Sequence, residues 1–560
     1  MHGLVNIFVS LVFCFLVTAQ TNRPVVDLGY AKYAGVVDNT THNTHFLGIR
    51  YAAPPIGALR WRAPEPPAPI AGVQSADTQP FTCFFAGFGV SAASPFRNGS
   101  FPTSLHDSNN SDNRRASTEF GPSEDCLFLN VYTPGILNPA HVTKPLPVVV
   151  WIHGGGYMSG SASGFRGTDF FNGDDLIREA GGNIVVVVIQ YRLGVFGFLP
   201  GTNVKERGDL NAGLLDQHFA LKWVQDHVGK FGGDPSLVTI WGESAGAGSV
   251  LQHVIAQDGN TTPPLFRGAI TSSSFLPSQY NFDDTFSEDL YNEVVSLTGC
   301  SSSSGDQDTL TCLRAVDAGT LENANVKIGD SAFFGVFIFV PVVDGTFITQ
   351  RPTQAFKQKK INGVFLLAIT NTNEGNIFVD QTTADSVQTA NYVAQLFPHF
   401  GEAEIDKAVE QYAGVGTNIE KANTIMGEAI FICPTYFLMR AFGDKAFKGQ
   451  FAIPPALHGQ DVAYYFPSTM NPNGRPAFDN VDFDNAFAQS FLNFAISLDP
   501  NVKTDPSNIT PQWSAWEGGL NEILFNRTED GRPDVRQVQT SDELLKRCTF
   551  WESVSALSGQ

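Results

Sequence analysis

Gly242-Glu243-Ser244-Ala245-Gly246 places a serine between two glycines, directly after the apolar run LVTIW (237–241) and before the helix-like stretch AGAGSVLQHVIAQ. A sharp turn from strand to helix lifts such a serine above a sheet, and the flanking glycines remove Cβ atoms that would strike the neighbouring strand or helix. The helix N-terminus behind the serine points positive dipole at charge developing near its hydroxyl. A second glycine cluster, His153-Gly154-Gly155-Gly156-Tyr157, follows the apolar run PVVVWI (147–152). Together with the Ala245 amide, its unobstructed N–H groups could hold an oxyanion. A phosphate-cradling loop is the competing reading, but the Walker Lys-Ser/Thr pair and the G-x-G-x-x-G spacing are both missing.

A serine hydroxyl needs a base, and the base needs an orienting acid. On sheets with a serine at such a turn, the chain order is serine, acid, histidine. Of eleven histidines only His253, His399 and His458 follow Ser244. His253 stands within the helix just behind the turn, too near in sequence to fold over it. His399, in LFPHFG, has the aromatic neighbours of a packed helix end. His458, in PPALHGQD, sits in a stiff approach relaxed by a glycine, and is favoured over His399. For the acid, Glu374 follows the buried run GVFLLAIT (363–370), and the C-terminal end of a parallel strand is where open sheets place their sites. Asp344, in VPVVDGT, is the chief rival, although Asp-Gly there reads as a tight turn.

These residues require a particular scaffold. PVVVWI and NIVVVVIQ (183–190) are too apolar for half-exposed strands and read as buried central ones. GLLDQHFALKWVQDHV (213–228) has helical spacing, with Leu214, Leu215, Phe219, Leu221, Trp223 and Val224 toward one face. FGGDP (231–235) makes a turn, and 247–257 is another helix. Strand–helix–strand order predicts an α/β fold with a large, mostly parallel sheet covered by helices on both faces.

The chain has 560 residues, 42% hydrophobic and 16% charged, which excludes a wholly disordered or collagen-like protein. A formal charge of −20 argues against nucleic-acid partners. Residues 1–19 resemble a secretory signal peptide: an apolar run from Leu4 to Val17 and a small-residue site, with cleavage expected after Ala19. Residues 20–560 are expected to form one domain, and no comparable apolar run follows. Six N-x-S/T sequons, at Asn39, Asn98, Asn109, Asn260, Asn508 and Asn526, are glycosylation candidates. Without Cys14, six cysteines remain, an even number that suggests three disulfides in a secreted chain. Cys83–Cys126 and Cys300–Cys312 each read most simply as a loop closed by its flanking cysteines. No cysteine or histidine cluster has metal-ligand spacing.

Longer stretches carry a family likeness. Phe231–Gly246, FGGDPSLVTIWGESAG, resembles the serine signature of type-B carboxylesterases, and Glu124–Pro134, EDCLFLNVYTP, resembles their second signature. GIRYAAPPIGALRW, WIHGGGY, TNTNEG, ALHGQD, FLNFAISLDPN and CTFW extend the similarity from about Val25 to Trp551. The resemblance implies an α/β-hydrolase of the kind seen in secreted fungal lipases and cholinesterases. It makes Ser244 the nucleophile, Glu374 the acid and His458 the base, with oxyanion donors at Gly155, Gly156 and Ala245. It also implies the bridges Cys83–Cys126, Cys300–Cys312 and a long-range Cys433–Cys548, and puts Glu243 and Ser273 beside the site as support. Cholinesterases carry a tryptophan in the first disulfide loop; residues 83–126 contain none, which argues against choline esters. In the related lipases this loop is a lid, and Phe84, Phe85, Phe88 and Phe96 could supply its apolar underside; an ordinary surface loop is an equal reading.

The expected activity is hydrolysis of carboxylic esters through an acyl-enzyme, on small-molecule or lipid esters, with no cofactor. Two alternatives stand beside it: a catalytically silent adhesion or binding ectodomain and, among enzymes, a true triacylglycerol lipase in place of an esterase for soluble esters.

Overall fold

Val185–Ile189 is five consecutive β-branched residues, all buried, and it lies inside a sheet covered on both faces. In this computed structural model the described residues are 23–97, 101, 105, 121–140, 142, 144–164, 169–302, 308–470 and 476–560. The expected signal segment, the sequons at Asn98 and Asn109 and the polar tract 106–117 lie outside them. The strands are β1 (Val25–Asp27), β2 (Lys32–Ala34), β3 (Val36–Val37), β4 (Thr44–Arg50), β5 (Val73–Ser75), β6 (Phe128–Thr133) and β7 (Leu146–Ile152). They continue with β8 (Val185–Ile189), β9 (Gly233–Glu243), β10 (Gly268–Ser272), β11 (Phe365–Asn371), β12 (Ala446–Phe451), β13 (Asn521–Arg527) and β14 (Pro533–Gln539).

Among the described residues, eleven strands join in the order β14-β13-β12-β11-β10-β9-β7-β8-β6-β4-β3. From β13 to β8 all neighbours run parallel; β14, β6, β4 and β3 are antiparallel additions. Strands β1, β2 and β5 form a small separate sheet. Alternation along the strands feeds two cores. Val148, Val150 and Ile152 of β7 face one with the helices Ala212–His227 and Ala245–Gly259, while Val149 and Trp151 face the other with Gly173–Glu179 and Val481–Ser497. The chain is an α/β fold with a large mixed sheet, parallel through its centre and covered by helices on both faces, as the strand runs predict.

Three local expectations shift. In Ala212–His227, Leu215 and Phe219 are only half-buried, while Asp216 is buried because Arg192 grips it at 2.8 and 2.6 Å. Strand β9 begins at Gly233, inside the expected turn, because Gly233 pairs with Leu146 before the register slips ahead of Val238. The helical run Asn418–Lys445 is long and apolar enough to cross a membrane, yet it is largely buried inside the fold.

The disulfides Cys83–Cys126, Cys300–Cys312 and Cys433–Cys548 all form. Among the sequons, Asn508 is 4% exposed, and its Nδ2 donates to Asn485 O and Gln489 Oε1. At its two edges the main sheet ends in β3, two residues long, and in β14, which opens with Pro533 and carries Asp534, Arg536, Gln537 and Gln539.

Candidate active site

Ser244 joins β9 to the helix Ala245–Gly259 with φ 57° and ψ −125°, a conformation rare for a residue with a side chain. Strand pairing and helix hold it there: Ser244 N donates to Ser272 O at 2.9 Å, and Gly248 N donates to Ser244 O at 2.8 Å. The glycines are required. A Cβ on Gly242 would collide with Gly246, and one on Gly246 with the Ile152 carbonyl of β7. A side chain at either position would break the turn.

The chain then brings three strand ends to this point. After β11, Glu374 is buried, and its Oε1 accepts hydrogen bonds from Asn371 N at 2.7 Å and Ser273 Oγ at 2.8 Å. Its Oε2 faces His458 Nδ1 at 2.6 Å. His458 arrives on the loop after β12, which is pinned to the Glu374 loop by Asn373 N donating to Ala456 O and Asn373 Nδ2 to Pro455 O. His458 Nε2 is buried without a hydrogen-bond partner and lies 3.3 Å from Glu243 Oε1, the residue before Ser244. No hydrogen bond joins it to the Ser244 hydroxyl in this structure; such contacts commonly tighten only with substrate bound.

The rival residues are committed elsewhere. His253 faces Gln217 Oε1 at 3.1 Å, and burial pushes it down to about 3. His399 stacks on Phe286 and pairs with Asp284. Asp344 accepts from the Thr346 and Phe347 amides, closing its own turn.

The glycine loop lies against the serine turn. A Cβ on Gly154 would come within 2.6 Å of Glu243 O and 3.0 Å of Ser244 Cβ. Gly155 and Gly156 hold φ 105° and 65°, which an L side chain rarely adopts. Tyr191 fastens the loop from behind: its hydroxyl donates to His153 O at 2.8 Å, and its ring stacks on the His153 imidazole.

Four ionisable groups crowd this centre. Burial pushes Glu243 up to about 8; His458 opposes that rise, and Asp461 and Glu374 add to it. Asp461 rises to about 6, again chiefly by burial. Burial alone would lower His458, but Glu374, Glu243 and Asp461 outweigh it and hold the imidazole above its ordinary 6.5. Asp461 was not singled out in the sequence, although it stands three residues after His458. Its Oδ1 accepts from Asn371 Nδ2 at 2.9 Å, and that same amide reaches Ser273 Oγ at 3.1 Å. Tyr465 OH lies 3.2 Å from Asp461 Oδ2. An imidazole anchored at Nδ1 by Glu374, with Nε2 facing Glu243 beside a strained serine and a glycine loop, can accept and return a proton.

Next to this centre lies an apolar cavity of about 890 Å³, counted to its open mouth. Phe275, Phe333, Phe337, Ile338 and Val340 line it, so much of the phenylalanine-rich stretch 331–340 faces this space as well as the core. A Cβ on Gly156 would strike Phe337, which puts the cavity wall directly on the glycine loop. The first part of the 83–126 loop closes the far side. Ser91 N donates to Ala332 O, Phe334 N to Ser91 O, and Arg97 Nη1 to Phe400 O, while Phe96 lines the cavity. Phe84 stacks on Phe196 and Phe88 packs on Phe337; Phe85 is 41% exposed.

Residues 22–550 match the carboxylesterase family, and the chain belongs to it. It is a carboxylic ester hydrolase of type B. Among its relatives, "Lipase 2" of Diutina rugosa is 30% identical over 541 residues, covering 89% of this chain and 92% of that protein. "Carboxylesterase patB" of Penicillium expansum is 28% identical over 580 residues, covering 96% and 98%. The crystal structure of Aspergillus niger EstA superposes with a TM-score of 0.80 at 28% identity, over 96% of this chain and 99% of that one.

Proposed function

We propose that the chain is a secreted serine esterase that works through an acyl-enzyme on Ser244. The observation that carries this reading is the anchored imidazole: His458 Nδ1 held at 2.6 Å by Glu374, with Nε2 buried 3.3 Å from Glu243 Oε1, beside the turn that bears Ser244. His458 takes the Ser244 proton as the oxygen attacks the ester carbonyl. The amides of Gly155, Gly156 and Ala245 receive the oxyanion, each lowering the barrier by about 3 kcal/mol. His458 then returns the proton to the leaving alcohol, and water releases the acid by the same route. Glu374 keeps the imidazole in the tautomer that leaves Nε2 free, and Ser273 and Asn371 keep Glu374 in place.

The aromatic and aliphatic lining of the adjoining cavity suits an apolar acyl group, so esters of fatty acids are the favoured substrates. The three disulfides and relatives named as secreted lipases support an extracellular setting for the mature chain. Ser244→Ala is expected to abolish p-nitrophenyl butyrate hydrolysis while leaving the melting temperature and circular dichroism unchanged. Wild-type turnover in that variant would reject the mechanism.

A further inference from the structure

The helical run that begins at Asn418 does not stay α-helical. Between Asn418–Gly427 and Cys433–Phe442, residues Glu428–Ile432 form a π-helical turn. Such a turn adds a residue to one helical repeat and turns the side chains that follow toward a new direction; it persists where something holds it. Here two staples hold it. Arg547, on the helix Asp542–Ser553, grips Glu428 through Nε at 2.7 Å and Nη2 at 2.6 Å. The next residue of that helix, Cys548, is bonded to Cys433, immediately after the π turn.

The residue so directed is Phe431. It is fully buried, and its ring centroid lies 4.5 Å from that of His458. Phe378 stacks on Phe431 at 5.3 Å and meets the same imidazole edge-to-face at 5.0 Å. The imidazole is therefore held at Nδ1 by Glu374 and flanked by a tilted Phe431 ring and an edge-to-face Phe378 ring.

We infer that Phe431 is a positioning residue for the base: the π turn sets its ring against His458, keeping Nε2 aimed at the Ser244 turn and favouring the imidazolium that forms during each step. The physical cause is twofold. The ring blocks rotation of the imidazole away from its site, and its π cloud attracts a cation within about 6 Å more strongly than an aliphatic side chain does. The inference rests on the reading of His458 as base. The charged and titratable groups facing the imidazole are Glu374 at the end of β11, Glu243 at the end of β9, and Asp461 on its own loop. None belongs to the π turn, so replacing Phe431 leaves the facing carboxylates intact.

Phe431→Leu keeps an apolar side chain of similar bulk and removes the aromatic face. With p-nitrophenyl butyrate, kcat is expected to fall about tenfold and KM to stay within about twofold. The acid limb of kcat/KM should shift to lower pH, because the imidazolium loses a stabilising neighbour. Phe339→Leu removes an equally buried ring that is not one of the pair packed on the imidazole, and is the control for general loosening of the core. Loss in Phe431→Leu alone, with the acid limb displaced, bears out the inference. Unchanged kcat, an unmoved acid limb, or an equal loss in Phe339→Leu overturns it. Should Phe431→Leu fail to fold, Phe431→Met supplies the same comparison. The Ser244→Ala variant separates the two readings: turnover there removes the base assignment itself, whereas an inactive Ser244→Ala beside a fully active Phe431→Leu removes this inference alone.

Discussion

Asp461 shows how the site sets function against stability. Its carboxyl rises from 3.8 to about 6 on folding, so the folded chain binds that proton more tightly than the unfolded one. A raised acid loses stability as pH climbs from about 4 to about 6, and the cost, on the order of 2–3 kcal/mol, is complete above that window. Asp461→Asn keeps an acceptor for Asn371 Nδ2 and removes the charge. The expected outcome is a melting temperature above wild type at pH 7 and equal to it at pH 4. Its activity profile should shift its acid limb downward, since one carboxylate that holds His458 above its ordinary value is gone. A gain of equal size at both pH values would show that the benefit has nothing to do with ionisation. The sequence offered Glu374 and His458 as acid and base because few histidines follow Ser244 and His458 sits in the stiff PPALHGQD loop, and the structure brings those two side chains to 2.6 Å. Asp461 and Asn371 stood in stretches already marked as distinctive, but their bonding joins loops about ninety residues apart, which spacing along a chain does not reveal.

At the scale of elements, the buried strands were legible because parallel strands covered on both faces must be apolar throughout. The π turn was not: an apolar helix and an apolar helix with one added residue have nearly the same text, and only the Arg547 and Cys548 staples distinguish them. The bridges also differ in what they restrain. Cys433–Cys548 spans 115 residues and Cys300–Cys312 spans 12, so the longer closure removes more freedom from the unfolded chain. Loop-closure entropy makes the difference about 2 kcal/mol. Cys433→Ala with Cys548→Ala should therefore lower the denaturant-derived unfolding free energy by about that much more than Cys300→Ala with Cys312→Ala. Equal losses would mean that the long bridge acts only on the native state.

Across the whole molecule, sequons and folded surface disagree, because N-x-S/T is a three-residue signal blind to burial. Asn39 and Asn260 are exposed, whereas Asn508 is packed against the helix Val481–Ser497. Peptide mapping of enzymatically deglycosylated protein is expected to find converted asparagine at 39 and 260 and unmodified asparagine at 508; an occupied Asn508 would require that region to fold differently. The sheet's rims have a further bearing. A bare strand offers its free amides and carbonyls to any other extended chain. With one rim of the described main sheet only two residues long and the other begun by a proline and carrying Asp534 and Arg536, neither end of that sheet gives a second copy a long bare strand on which to stack.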